Sequence, residues 1–308
     1  MNSEKPKFNI QIIDEGKKKT DSEASDYLEG YASVKNENEL EKDPQFIKFF
    51  TKAKEIVTDL ANNYGVKPLD IKLEMLHLLP REDFIKESNE QVGAFYRSGG
   101  IYVNEQRYKK WDELTKLMIF CHELLHASSN QKTRIKRNKE QFELKNLKVG
   151  LRVDLNEPDF QGLNEAMTVF LTNVCYFDYV KDKIELPVSA PSLAIENLSN
   201  KEKFDCYKSF ENLFFDLCRK LAMLNSTIYE SEEPIIREFI RVYFNGGIEK
   251  IAKLIMSLGK GALNNLAKIN ASADEENLIR IINFRKKYGL PADEELNKNV
   301  VSLKNKII

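Results

Sequence analysis

Apolar residues recur at helical spacing in three parts of the chain. The first part runs from Asp43 to about Gly65 and has seven apolar side chains in this pattern: Phe46, Phe49, Phe50, Ala53, Ile56, Val57 and Leu60. The second runs from Trp111 to about Ser128, and the third follows Gly162 in the segment LNEAMTVFLTNVCYF. A spacing of three to four residues places side chains on one side of an α-helix, so the pattern predicts three amphipathic helices.

Shorter segments between and after these helices have other patterns. VGAFYRSGGIYVN has two short runs on either side of Ser98-Gly99-Gly100, which predicts a tight hairpin. QFELKNLKVGLRVDL alternates apolar and polar residues and predicts a second hairpin, whereas the basic residues 130–141 predict a loop. After Pro187 and Pro191 the pattern is helical to about Tyr288.

These elements predict an α+β fold in three parts. Residues 1–43 form a charged leader that we expect to be mobile, because few apolar groups offset the entropy of ordering it. Its FNIQII segment is suited to an edge strand. Residues 44–185 form the core, with a small, mostly antiparallel sheet beside the second amphipathic helix. Residues 186–308 form a mainly helical C-terminal subdomain.

Composition excludes several classes of protein. Lys and Arg total 47 against 48 Asp and Glu, so we expect neither nucleic acid nor an anionic membrane as a partner. The four cysteines are far apart and form no CxxC pair, which predicts reduced thiols in apolar helices. No signal peptide and no apolar run of about 18 residues is visible, so the expected location is the cytoplasm.

One motif in the second predicted helix contains residues suited to bind a metal ion and to accept a proton. CHELLHASS contains His122-Glu123-Leu124-Leu125-His126, an H-E-x-x-H sequence. Residues four apart lie one helical turn apart on the same face, so both imidazoles can reach one metal ion. Glu123 lies next to the first histidine and can accept a proton from a water on that metal. The alternative is a pair of histidines on a helix surface without a metal.

A third ligand must be a carboxylate if a later residue supplies it, because no histidine follows His126. The candidates are Glu140, Glu143, Asp154, Glu157, Asp159 and Glu165. Glu165 is favoured because it lies near the start of the third amphipathic helix, where a carboxylate needs a charged partner. The alternative for Glu165 is an exposed carboxylate stabilised by the helix dipole.

CHELLHASS followed by GLNEAMT resembles the zincin metallopeptidases, specifically the gluzincin branch. The resemblance implies one Zn²⁺ per chain, with His122, His126 and Glu165 as ligands and Glu123 as the general base. It also implies that Asn164 ties its helix to a neighbouring element. VGAFYRSGGIYVN resembles the zincin edge strand, which implies an extended peptide substrate along residues 93–104.

The chain departs from that family in three places. Val169 stands where thermolysin-like enzymes carry an aspartate, and the segment from His126 to Glu165 is longer than in the best-known gluzincins. No histidine in the C-terminal part can stabilise an oxyanion, which leaves five other residues open for that role: Tyr207, Tyr229, Tyr243, Arg237 and Arg241. His77, outside the motif, is expected to be a partly buried packing residue.

The function expected from the residues and the resemblance is a zinc-dependent metallopeptidase that hydrolyses peptide bonds. A second hypothesis is a zinc-binding regulatory or interaction protein with a zincin fold and no general proteolytic activity. A third is a helical scaffold in which the motif is accidental. The presence of Glu123 between the two histidines favours the first, because a structural metal site needs no base there.

Overall fold

The computed structural model describes residues 7–8, 10–14, 17–33, 38–88, 92–138, 141–154, 158–177, 201–271, 274–294 and 296. It has a mixed α/β fold with small open sheets. The chain divides into two compact units, Met1–Val149 with Leu171–Leu198 and Gly150–Phe170 with Ser199–Ile308. The predicted boundary between residues 185 and 186 lies outside the described residues.

The first unit contains nine short strands and five helices in its described part. The strands are β1 (Lys7–Phe8), β2 (Ile10–Asp14), β3 (Lys17–Lys18), β4 (Val66–Lys67), β5 (Leu76–Leu79), β6 (Ala94–Arg97), β7 (Gly100–Asn104), β8 (Gln131–Asn138) and β9 (Gln141–Val149). The helices are α1 (Asp21–Ala32), α2 (Pro44–Asn63), α3 (Arg81–Glu87), α4 (Glu105–Tyr108) and α5 (Glu113–Ser128), with a 3₁₀ turn at Leu73–Met75.

The second unit is mainly helical in its described part. Its described elements are the strands β10 (Arg152–Asp154) and β11 (Pro158–Asp159) and the helices α7 (Lys201–Leu224), α8 (Glu233–Asn245), α9 (Ile248–Met256), α10 (Ala262–Ala267) and α11 (Glu275–Lys287). Helix α6 (Gln161–Cys175) is continuous, and its residues up to Phe170 are grouped with this unit. The aromatic ring of Phe214 on α7 packs edge-on against Phe239 on α8, with ring centroids 5.3 Å apart.

The sheet beside α5 is mixed rather than mostly antiparallel. Its strand order is β5-β7-β6, in which β5 runs parallel to β7 and β6 runs antiparallel to it. The predicted hairpin is confirmed: β6 and β7 are joined by Ser98 and Gly99, whose φ angles are 48° and 94°. Both residues have positive φ, as a two-residue hairpin turn requires. Strand β6 lies against α5.

Two predictions for the rest of the first unit differ from the structure. The basic stretch 130–141, predicted as a loop, contains β8, which pairs with β9 on one side and β2 on the other. Gln131, Thr133 and Ile135 are buried while Lys132 and Arg134 are exposed, so the stretch has a strand's period of two. The exposed charges of Lys132 and Arg134 make this period hard to recognise in the sequence.

Part of the predicted leader also forms regular structure. Strand β2 lies between β8 and β3, inside the sheet rather than at its edge. Ile10 and Ile12 are buried in it, and Ala24, Leu28 and Ala32 are buried along α1. These five apolar side chains have the spacing of a strand or a helix and are buried, even though the segment is strongly charged.

In the described part of the chain, no helix is long and apolar enough to cross a membrane.

Candidate metal centre

Helix α5 presents the H-E-x-x-H motif on a well-anchored segment. Asp112 caps its N-terminus by accepting a hydrogen bond from the Thr115 N–H at 2.7 Å. Its apolar face packs against α2, where the ring of Phe120 meets Phe46 and Phe50 at centroid distances of 5.1 and 5.8 Å. The two histidines therefore project from a helix whose opposite side is fixed in the core.

The start of helix α6 is held by backbone hydrogen bonds. Phe160 donates to the carbonyl of Ala267 at 2.8 Å, and Gly162 donates to that of Ile269 at 2.9 Å. A Cβ at Gly162 would lie 2.8 Å from the Ile269 side chain and 3.0 Å from backbone oxygen, so only glycine fits this close approach. These contacts place the first turn of α6, and Glu165 with it, in one position.

Asn164 fixes the same turn through its side chain. Its Oδ1 atom accepts a hydrogen bond from the Leu151 N–H at 2.9 Å, and Asn164 is 4% exposed. The implied role of Asn164, tying its helix to a neighbouring segment, is thus seen in the structure, with the segment at Gly150 and Leu151 as the neighbour.

The structure brings His122, His126 and Glu165 together. One ligand atom from each lies within 4.8 Å of the other two, and all three residues are partly buried. The two imidazole Nε2 atoms are 3.2 Å apart. Two nitrogens bound to one tetrahedral zinc ion at 2.0–2.1 Å would be about 3.3 Å apart, so the separation of the two histidine nitrogens is compatible with a shared ion.

The group offers three possible ligands to a metal ion. Two imidazole nitrogens and one carboxylate are three protein ligands, whereas structural zinc sites ordinarily use four. Glu123 follows the first histidine on α5 and is 6% exposed. A buried carboxylate is suited to accept a proton in a water-poor environment.

The other acidic candidates do not join this group where they are described. Glu140 and Glu157 lie outside the described residues, as do the side chains of Glu143 and Asp154. Asp159 is exposed and belongs to β11. Among the described residues, the cluster consists of His122, His126 and Glu165.

A further contact to the centre was not anticipated from the sequence. The Thr172 hydroxyl lies 3.4 Å from Nδ1 of His122, and Thr172 is 5% exposed. Thr172 follows Glu165 by seven residues, which is two helical turns, so both lie on the same side of α6. The seven-residue spacing is visible in the sequence, but it does not show that Thr172 lies against His122.

The residues left open for oxyanion stabilisation have other contacts. Tyr243 is fully buried, with its hydroxyl 3.0 Å from that of Thr168. Arg237 and Arg241 are exposed and pair with Glu233 and Glu238 on their own helix. Tyr229 is partly buried, and the side chain of Tyr207 lies outside the described residues.

His77 lies in β5, away from the motif, and is fully buried. Its Nδ1 is 3.0 Å from a Glu39 carboxylate oxygen, and its Nε2 is 2.6 Å from the Ala32 carbonyl oxygen. The ring also stacks on Tyr102 with centroids 4.7 Å apart. His77 is therefore more deeply buried than predicted, and its ring is held by two polar contacts and one aromatic contact.

Three cysteines are buried free thiols, as predicted: Cys121, Cys175 and Cys218. A hydrogen bond with Cys175 together with burial raises the pKa of Cys121, and burial raises the pKa of Cys218. Raised thiol pKa values suit packing rather than nucleophilic or ligand roles. The side chain of Cys206 lies outside the described residues.

The fold and the centre together define a mixed α/β protein with a His-His-Glu group able to hold one metal ion. Comparison of the chain with protein-family models, with curated proteins and with solved structures gives no match. The functional assignment therefore depends on the geometry of the centre and on the sequence of its two helices.

Proposed function

We propose that the chain is a zinc-dependent metallopeptidase with a zincin-like catalytic core. The observation that carries this proposal is the approach of Glu165 to His122 and His126, which are separated from it by more than 35 positions in the sequence. The possible ligand atoms of these three side chains lie within 4.8 Å of one another, and the buried Glu123 lies between the two histidines in the sequence. This combination matches what a hydrolytic zinc site needs.

In this proposal His122, His126 and Glu165 hold the zinc ion. When bound, zinc supplies Lewis-acid chemistry, polarising a peptide carbonyl and lowering the pKa of a coordinated water. Glu123 then accepts the proton of the attacking water and returns it to the leaving amine. The burial of Glu123 limits competition from bulk water for that proton.

The substrate is proposed to be an extended peptide. In the described part of the chain, β6 is one of the two outer strands of its sheet, and it lies against α5, which carries the motif. An outer strand offers unpaired backbone N–H and C=O groups to which a peptide can add as a further strand. A peptide bound along β6 would run beside the helix that carries the two histidines.

Glu123→Gln tests the hydrolytic role. The amide keeps the size of the side chain but cannot accept the proton, so we expect zinc binding to persist while cleavage falls by at least about 100-fold. Glu113→Gln is the matched control, because Glu113 is an exposed glutamate in the first turn of the same helix. Cleavage is measured as new amino termini released from a mixture of unstructured peptides.

Two results would contradict the peptidase proposal. Undiminished cleavage by Glu123→Gln would remove Glu123 from the mechanism. Stoichiometric zinc in the wild-type protein without any cleavage of the peptide mixture would favour a zinc-binding regulatory or interaction protein instead.

A further inference from the structure

Helix α6 supplies a second contact to the metal centre, two turns after Glu165. We propose that Thr172 is a positioning residue, whose hydroxyl oxygen accepts a hydrogen bond from Nδ1–H of His122 and so keeps the lone pair of Nε2 available to the metal. This inference rests on the proposed metal centre, and it identifies the group that selects the tautomer of one of its ligands.

The arrangement of the two imidazoles determines which nitrogen is the ligand. Nε2 of His122 faces Nε2 of His126 at 3.2 Å, with the ring planes at 82° to each other. Nδ1 of His122 instead faces the Thr172 hydroxyl at 3.4 Å. A neutral imidazole has one N–H and one lone pair, so a proton on Nδ1 leaves the lone pair on Nε2, where the metal would bind.

A threonine hydroxyl in a helix is suited to accept a hydrogen bond from Nδ1–H. Such a hydroxyl commonly donates its own hydrogen to the carbonyl four residues earlier, which leaves its lone pairs for a second partner. Thr168, one turn earlier on α6, does this: it donates to the Asn164 carbonyl at 3.0 Å and lies 3.0 Å from the Tyr243 hydroxyl. Thr172 can serve His122 in the same way.

The position of Thr172 also limits the orientation of the His122 imidazole ring. Thr172 is 5% exposed and branched at Cβ, and a branched side chain in a helix has few allowed rotamers. A rigid hydroxyl beside Nδ1 restricts rotation of the imidazole about its last bond. Partners of this kind to metal-binding histidines contribute about 10–100-fold to metal affinity.

The tautomer can be read directly from the metal-free full-length protein. The chain has only three histidines, so the ring ¹⁵N signals of His122 can be assigned with two substitutions. In slightly alkaline buffer we expect His122 to carry its proton on Nδ1 in the wild type and to lose that preference in Thr172→Val. The ring signals of His77, bonded to Glu39 and Ala32, should not move.

Zinc affinity, measured by competition with a chelator, gives the second readout. Thr172→Val should weaken zinc binding by about 10–100-fold, and Thr172→Ser should restore it, because serine keeps the hydroxyl. Thr168→Val is the matched control, since it removes a buried hydroxyl from the same helix, and that hydroxyl contacts Asn164 and Tyr243. Its zinc affinity should equal that of the wild type.

The possible results distinguish a failure of the role proposed for Thr172 from a failure of the proposed metal centre. A wild-type His122 with its proton on Nε2 overturns the inference even if Thr172→Val does not fold. Equal zinc affinity in wild type and Thr172→Val overturns it while leaving the metal centre in place. Absence of zinc binding by the wild type overturns both the centre and the role of Thr172.

Discussion

The Nε2 atoms of His122 and His126 lie 3.2 Å apart, within hydrogen-bonding distance of each other. Two imidazole nitrogens cannot both present lone pairs to each other at this separation without repulsion, so the pair is stable with a proton or a cation between them. The two nitrogens thus lie at a spacing that a shared metal ion could use.

Zinc should therefore stabilise the fold. A ligand that binds only the folded state at 100 times its dissociation constant adds about 2.7 kcal/mol to the free energy of unfolding. We expect this increase in denaturant unfolding of the wild type when zinc is added, and its loss when a chelator follows. His126→Ala should show no such increase, and a zinc-dependent gain of equal size in that variant would place the bound ion elsewhere.

Asn164→Ala should destabilise the first turn of α6. The substitution leaves the buried Leu151 N–H without the acceptor it has at 2.9 Å, and an unpaired buried group costs about 1–3 kcal/mol. Chemical denaturation measures the loss. Unchanged denaturation of Asn164→Ala would contradict a stabilising contact between Asn164 and Leu151.

Gly150→Ala should also destabilise the protein, for a steric reason. Gly150 has a φ of 58°, and a Cβ there would lie 2.4 Å from Oδ1 of Asn164 and 2.9 Å from the Tyr243 ring. Gly30→Ala is the matched control, because Gly30 lies in α1 with nothing within 4 Å of an added Cβ. The control should gain about 0.5–1 kcal/mol from helix propensity. A Gly150→Ala protein as stable as the wild type would contradict the close packing at this turn.

Acid should weaken the contact between Glu39 and His77. Burial raises the pKa of Glu39, but hydrogen bonds from Lys42 and His77 outweigh it and hold the pKa below the ordinary 4.5. Because the folded pKa is the lower one, the stabilisation is complete above pH 4.5 and is lost as the pH falls through the folded value.

Glu39→Gln tests this pH dependence. At neutral pH the variant should be less stable by about 1–3 kcal/mol, and its stability should change less on acidification than that of the wild type. Glu41→Gln, at an exposed position two residues along, should behave as the wild type. The test is the free energy of unfolding measured across the acid range. If it changes with pH equally in the wild type and in Glu39→Gln, the Glu39 carboxylate does not cause the pH dependence.

Much of the site's scaffold could be predicted from local sequence patterns. The helices α2, α5 and α6 follow from apolar residues at helical spacing, and the β6–β7 hairpin follows from Ser98 and Gly99. His122 and His126 could be paired because four residues is one helical turn. Each of these features depends on residues that are close together in the chain.

The features that depend on distant contacts were harder to predict. The sequence of strand β8 predicts a basic loop, because Lys132 and Arg134 obscure the alternation of buried and exposed positions. That alternation is evident in the structure, where β8 pairs with β2 on one side and β9 on the other. Glu165 could be ranked above the other acidic residues only by its helix and the family resemblance. Thr172 could not be assigned to His122, because the sequence does not show how α5 and α6 approach each other at that level.

Zinc binding by the full-length protein and by Glu165→Ala tests the central claim most directly. We expect the wild type to bind one zinc per chain, and Glu165→Ala to bind it more weakly by over about 100-fold, since a direct ligand contributes more than the 10–100-fold of an outer partner. Asp159→Ala, which removes an exposed carboxylate six residues earlier, should bind as the wild type does. A wild type that binds no zinc, or a Glu165→Ala variant that binds it equally well, would contradict a metal centre built from His122, His126 and Glu165.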